Sequence, residues 1–270
     1  MMDATRLPEL DFAGRAVTVV GLGIEGVDLA RFLAIHGAAV TISDSKTRQQ
    51  LRDRLNEIAD LRVELSLGAA QDAGLAKAEE VFVSQGVPLE LPGLRAALAN
   101  GAEFRSMMGL FLDICPGPIV GITGSSGKTT TTALVAEMFE ADERPFFVGG
   151  NIGVGLLGHL TAIRPYTWSV LEISHTQLQL VDRSPHVAAV LNITPNHLDR
   201  FSWDEYRRLK TNIIRQQTAD DVAVLNFDDP ECRAIEPLAR ARLMHFSMGR
   251  DIPGDGAFVP EAVARFGEEI

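Results

Sequence analysis

The chain has 270 residues, is 46% hydrophobic and carries a formal net charge of −11. At ~100–200 residues per domain this predicts two soluble globular domains, and the acidic balance argues against nucleic acid or a membrane surface as partner while leaving a small nucleotide ligand open. Two distant cysteines, Cys115 and Cys232, no N-terminal signal and no apolar run near ~18 residues predict a cytoplasmic protein without a disulfide framework.

Ala16–Val20 reads as a short buried strand running into Gly21-Leu22-Gly23-Ile24-Glu25-Gly26. Val27, Leu29, Ala30, Leu33 and Ala34 follow at helical spacing, and Ala39–Ser43 is the next strand, with Asp44 at its end. A βαβ unit with GxGxxG and a strand-end acid is the dinucleotide fingerprint. Gly21 and Gly23 let backbone approach a diphosphate, and Asp44 can accept from a ribose hydroxyl; these demands suit a UDP-sugar as well as NAD, and a tight turn with close helix packing needs the same glycines. Glu25 is awkward there, because a carboxylate repels a phosphate unless it points away. Strands are expected at Val63–Leu67 and Val81–Ser84, with helices around Lys46–Ile58 and Leu91–Asn100. The alternation predicts a Rossmann-like parallel sheet with helices on its faces.

Cys115-Pro116-Gly117-Pro118 interrupts the pattern and is the expected boundary between domains 1–115 and 118–270. A second α/β series has strands at Ile119–Thr123, Phe146–Val148, Trp168–Ile173, Val187–Ile193 and Val222–Asn226, and a weaker one at Ala241–Phe246. Helices are expected at Thr129–Glu140, Trp203–Gln216 and Pro230–Arg240. Strands are still being added when the chain reaches the turn-rich Gly249–Gly256, so this domain is expected to be incomplete.

The second series opens on Gly124-Ser125-Ser126-Gly127-Lys128-Thr129-Thr130. Strand, glycine turn and helix N-terminus form a phosphate cradle: turn amides and the helix dipole face one anion, Lys128 brings a point charge, and the Thr129 hydroxyl can hold magnesium. The match to GxxxxGK[ST] is imperfect, with Ile122 at the first glycine position; the alternative is a Ser/Gly turn capping a helix. Gly149-Gly150-Asn151-Ile152-Gly153 lets backbone and the Asn151 amide approach a ligand, or is simply a Gly-rich turn. Glu172, at the carboxyl end of its strand, is placed to bind magnesium together with Thr129 and the phosphates, or is a solvated edge. His197, in Asn196-His197-Leu198-Asp199-Arg200, is a metal ligand or a structural histidine. Lys210 reads as part of a solvated basic helix face. Asn226 hydrogen-bonds an adenine edge, or caps the turn before Pro230.

These motifs, in this order, resemble the Mur ligase family of ATP-dependent amide-bond synthetases. The resemblance covers nearly the whole chain and includes Val83–Pro88, the phosphate loop, Gly149–Gly153, Leu171–Ser174, His197–Arg200, Tyr206 with Lys210, and Asn226–Asp229. It implies a monomeric cytoplasmic ligase of peptidoglycan synthesis that uses ATP and magnesium. In the implied reaction ATP phosphorylates the carboxylate of a UDP-linked substrate and an amine attacks the acyl phosphate; the Rossmann-like first domain points to UDP-N-acetylmuramoyl-L-alanine and D-glutamate as substrates. Lys128, His197 and Lys210 would be catalytic. Gly124, Ser125, Ser126, Gly127, Lys128, Thr129, Thr130 and Asn226 would bind ATP. Thr129, Glu172, His197 and Lys210, the last as a carbamate, would face the metal. Gly23, Asp44, Ser45 and Lys46 would line the uridine diphosphate site, and Asn151, Ser174 and Gln177 would face substrate.

The chain departs from the family pattern in four places. Glu25 stands where a small hydroxyl residue is usual. Ser84-Gln85-Gly86 replaces Ser-Pro-Gly, Ser174-His175-Thr176-Gln177 replaces Ser-Ser-Phe-Gln, and residues 106–111 lack acids. The family's third, C-terminal domain is expected to be absent. The alternatives are a non-catalytic nucleotide- or UDP-sugar-binding relative and an NAD-dependent oxidoreductase using the first Gly loop.

Overall fold

The computed structural model describes residues 12–153, 155–249 and 251–259. The chain forms two compact units, one of residues up to Pro116 together with Gly153–Arg164, the other of Gly117–Ile152 and the residues from Pro165 onward. The sequence pattern assigns Gly153–Arg164 to the second series; in the structure it packs with the first unit. Its 3-10 turn, Leu157–Ala162, is held by Asp28, whose two carboxylate oxygens accept from Leu157 N (2.7 Å) and Gly158 N (3.0 Å).

In the first unit the elements run β1 (Ala16–Val20), α1 (Ile24–Ile35), β2 (Ala39–Asp44), α2 (Arg52–Glu57), β3 (Val63–Leu67), β4 (Glu80–Val83), α3 (Pro92–Ala99), β5 (Glu103–Arg105) and α4 (Met107–Ile114). The sheet is wholly parallel, in the order β3-β2-β1-β4-β5. The central β1 is buried on both faces, hence its continuous run of Val and Thr. Its two neighbours diverge in chain order, so a crevice opens at the carboxyl ends of β1 and β4, where open α/β sheets take ligands.

The second unit contains β6 (Ile119–Thr123), α5 (Lys128–Ala141), β7 (Phe146–Gly150), β8 (Trp168–Glu172), β9 (Val187–Val190), α6 (Trp203–Arg215), β10 (Val222–Asn226), α7 (Pro230–Ala234), β11 (Arg242–Ser247) and β12 (Gly256–Phe258). Its sheet is again wholly parallel, ordered β12-β11-β10-β9-β6-β8-β7. Strand β6 lies between β8 and β9 and is buried throughout. Val135 and Phe139 of α5 pack on Val120, Ile122 and Val170, and the Phe139 ring meets Trp168 at 5.6 Å between centroids. This packing fixes the N-terminus of α5 over the end of β6.

The structure corrects several element boundaries. The helix expected over Lys46–Ile58 is only α2, because Thr47 and Gln50 close a turn before it: Thr47 N donates to Gln50 Oε1 (2.9 Å) and Gln50 N to Thr47 Oγ1 (3.4 Å). The helix expected over Pro230–Arg240 stops at Ala234, since Pro237 has no N–H to continue the α-helical ladder and disfavours the α conformation at Glu236; a tighter 3-10 turn, Glu236–Leu238, follows. Strand β9 ends at Val190 rather than Ile193. Helix α4 is not foreseen in the sequence pattern. Seven of its residues are buried, so it has no polar face to set a period, and its start is marked only by Ser106 Oγ, which accepts from Gly109 N at 3.0 Å.

Candidate functional site

In the first unit a cavity of about 510 Å³ lies at the carboxyl ends of β1 and β4. One wall is the Gly loop with Gly23, Asp44, Ser45 and Lys46; the other is formed from residues 84–91. The loop requires glycine at two positions. Gly21 has φ +90°, and a Cβ on Gly26 would lie 2.0 Å from Gly21 O. A Cβ on Gly23 would meet nothing within 4 Å, so its space is open to a ligand rather than filled by packing. Asp44 is buried and braces the loop: Oδ2 accepts from Leu22 N and Oδ1 from Lys46 N, each at 2.8 Å. Its sequence-expected contact to a ribose would use the remaining lone pairs. Gly26→Ala is therefore expected to force the loop open, at about 1–3 kcal/mol in stability, and to weaken UDP-sugar binding. Thermal melting and calorimetry check this; an unaltered variant in both would contradict the packing.

In the second unit the phosphate loop leaves β6 and turns at Gly127, with φ +81°, into α5. Asn192, at the end of the neighbouring chain segment, clamps the loop. Its backbone O accepts from Ser125 N (3.0 Å), its Oδ1 from Ser126 N (2.9 Å), and its Nδ2 donates to Ser126 O (3.1 Å). The first bond of α5 runs from Thr131 N to Gly127 O, so the amides before it have no partner inside the helix and mark an anion site. Lys128 Nζ folds back to Gly124 O at 3.0 Å.

Thr129 and Glu172 meet because β6 and β8 are adjacent and end together. Thr129 Oγ1 donates to Glu172 Oε2 at 2.7 Å. Asn151 completes the group: its Nδ2 donates to Glu172 Oε1 (2.9 Å), and its backbone N to Glu172 O (2.8 Å). Glu172 is 2% exposed, and among the described residues no lysine or arginine pairs with it. A buried carboxylate held only by a neutral hydroxyl and an amide, beside a phosphate loop, has the hard-oxygen character magnesium takes. Among the described residues no three His, Cys, Asp or Glu side chains converge as a metal cluster.

Lys210 is 1% exposed, against the solvated face its helix pattern suggested. It lies 5.0 Å from the Tyr206 ring centroid, one helical turn away, and the Tyr206 hydroxyl reaches Ser125 Oγ at 3.0 Å. Burial, and then the charge of Lys128, push the Lys210 ammonium down to about 7. His197 is exposed, with a left-handed backbone (φ +54°), and its ring stacks on His175 with centroids 4.6 Å apart. His175 is buried and is pushed down to about 4, chiefly by burial and then by Lys210 and the neighbouring cations. Tyr206 and His175 thus connect the loop to His197. The sequence signal for Tyr206 is its spacing of four from Lys210, which places both on one helix face.

Other expected residues are tied into the protein. Ser174 and Gln177 are buried and close on each other, Gln177 Oε1 accepting from Ser174 N at 3.1 Å. Asn226 Nδ2 donates to Leu191 O (2.8 Å) and its Oδ1 accepts from Asp228 N (2.9 Å), so any adenine contact would use the second amide hydrogen or lone pair. Thr130 is exposed in the first turn of α5. No helix among the described residues is long and apolar enough to cross a membrane.

Comparison with known proteins follows the same division. A family described as the Mur ligase MurD-like N-terminal domain matches residues 15–106, and the Mur ligase middle domain matches residues 122–255. The chain is 44% identical, over 90% of its own length and 54% of the relative's, to UDP-N-acetylmuramoylalanine--D-glutamate ligase of Symbiobacterium thermophilum. It is 38% identical to the protein of that name in Geotalea daltonii, over 94% and 56%. It therefore spans about half the length of these curated relatives. Among solved structures, UDP-N-acetylmuramate:L-alanyl-gamma-D-glutamyl-meso-diaminopimelate ligase from Neisseria meningitides matches with a TM-score of 0.57 at 15% identity, covering 87% of this chain and 78% of that one. A murein peptide ligase from Psychrobacter arcticus matches with 0.52 at 16%, covering 87% and 54%. These two share the fold.

Proposed function

The chain belongs to the Mur ligase family, and on that premise we propose that it serves the ATP-dependent addition of D-glutamate to UDP-N-acetylmuramoyl-L-alanine, a cytoplasmic step of peptidoglycan precursor synthesis. The observation that carries this reading is the buried Glu172 carboxylate held by Thr129 and Asn151 beside the phosphate loop. The NAD reading of the first Gly loop falls away, because that loop lies inside the Mur ligase N-terminal match.

The roles assigned here are those the family resemblance implies. Amides of Gly127–Thr130 and the Lys128 ammonium hold the phosphates of ATP, while the Ser125 and Ser126 amides, which donate to Asn192, set the shape of the loop. Thr129 and Glu172, with His197 and a carbamate on Lys210, would hold magnesium, which when bound neutralises charge on the transferring phosphoryl group. The substrate carboxylate takes that group, ADP leaves, and the amine of D-glutamate then displaces phosphate. Gly23, Asp44, Ser45 and Lys46 hold the uridine diphosphate in the first unit, while Asn151, Ser174 and Gln177 stand on the substrate side of the second. The test is phosphate release by this chain with magnesium-ATP, both substrates and bicarbonate. Release that requires both substrates supports the reading; ATP hydrolysis indifferent to them contradicts it.

Lys210 gives a second test. With its ammonium at about 7, much of the amine is neutral at pH 8 and can attack carbon dioxide, forming a carbamate and releasing a proton. The same shift has a sign in stability. A lysine whose folded pKa lies below its unfolded value destabilises most below the folded one, and the penalty fades as pH rises toward the unfolded value. In carbonate- and metal-free buffer, Lys210→Met is expected to melt higher than the parent at pH 7, with the gap narrowing by pH 9. A gap that stays constant or widens would contradict the burial of a strained amine.

A further inference from the structure

Ser84 and Gln85 join the two walls of the cavity in the first unit. Ser84 belongs to the sheet ladder, its N donating to Val20 O at 2.9 Å, and its Oγ donates to Gly21 O at 2.7 Å. Beyond Ser84 the wall leaves the sheet: Gly86 has φ +89°, and Val87 N returns to Ser84 O at 3.2 Å. Gln85 is the first residue of that turn, and its backbone N–H donates to Glu25 Oε2 at 2.8 Å. Glu25 sits in the first turn of α1, between Gly23, which lines the cavity, and the sterically fixed Gly26; it is not itself a lining residue.

We propose that Glu25 is a positioning residue for the sugar-nucleotide cavity: its carboxylate latches the Gln85 turn to the Gly loop, and the same bond holds the negative charge off the ligand's diphosphate. This rests on the reading that the cavity takes the UDP group. A carboxylate accepting a backbone N–H makes one of the stronger hydrogen bonds available, and at a helix N-terminus its charge is also favourable. A carboxylate that swung off this donor toward the cavity would repel a phosphate. Proline at position 85, which has no N–H, would remove this bond.

The consequence is a coupling between the two positions. Glu25→Ala is expected to weaken UDP-N-acetylmuramoyl-L-alanine binding by about tenfold, the worth of one charge-assisted hydrogen bond. Glu25→Gln keeps an acceptor for Gln85 N–H and is expected to stay within about threefold of the parent. Gln85→Pro removes the same bond and weakens binding as well, so Glu25→Ala added to it loses little more. Calorimetry on the whole chain reads all four variants, with magnesium-ATP titration of the second unit and a melting curve to confirm folding. If Gln85→Pro fails to fold, the Ala and Gln variants at position 25 decide the question. Loss in Glu25→Gln equal to that in Glu25→Ala, or additive losses in the double variant, would overturn the latch. A parent chain that binds magnesium-ATP but no UDP-sugar would overturn the ligand reading of the cavity and the latch with it.

Discussion

Lys128→Ala is expected to abolish magnesium-ATP binding while leaving UDP-sugar affinity unchanged. The Lys128 ammonium lies over the phosphate loop, 3.0 Å from Gly124 O, where a terminal phosphate can take it in exchange. Two charge-assisted hydrogen bonds at about 1.5 kcal/mol each make the loss about a hundredfold or more. The cavity proposed for the UDP-sugar is built in the other unit, by residues 20–91, and shares none of these contacts. Separate calorimetric titrations of the two ligands check the selectivity. Loss of both in a variant with unaltered circular dichroism would sink the assignment of one nucleotide site to each unit.

Gly150→Ala is expected to be the most damaging small change to the second unit. Gly150 pairs in register with Glu172 across β7 and β8. A Cβ there would lie 2.1 Å from Glu172 O, and the backbone is at φ +95°. Overpacking at about 1–3 kcal/mol and the strained backbone at about 1–3 kcal/mol together predict roughly 2–6 kcal/mol of destabilisation. Relief requires β7 to withdraw, which breaks both bonds from Asn151 to Glu172 and releases the carboxylate from its place beside Thr129. Denaturant titration measures the first effect and magnesium-ATP affinity the second. A midpoint and an affinity equal to the parent's would show that the contact between the strands is looser than described.

Much of this is written in the sequence where the chemistry is local. The phosphate loop occupies consecutive residues between a strand and a helix, so its existence follows from the local pattern, though the Asn192 clamp that shapes it does not. The adjacency of Thr129 and Glu172 is also legible, because Thr129 opens the helix that follows one strand and Glu172 ends another in the same parallel sheet. The central strands β1, β4, β6 and β8 read as apolar runs, since they are buried along nearly their whole length.

What depends on side-chain reach across the fold is not legible. Glu25 can be recognised as an acid in the wrong place, but its partner, the Gln85 amide, is 60 residues away. Asp28 gives no hint that it caps Leu157 and Gly158, 129 and 130 residues on. Helix α4 escapes because a helix buried all round has no period of polarity. Lys210 reads as solvent-exposed because its neighbours Arg207 and Arg208 are charged, yet it lies on the inward face with Tyr206 and Ile214, where burial changes its chemistry. Asn226 looks available at a strand end, and only the structure shows both ends of its amide engaged.

The most direct test of two nucleotide sites in two separate units is one calorimetric experiment on the unmodified chain, in which magnesium-ATP is titrated to saturation and UDP-N-acetylmuramoyl-L-alanine is then titrated into the same cell. The account predicts one equivalent of each, with the second ligand binding although the first is in place. Competition between the two, or failure of either to bind a folded chain, would contradict it.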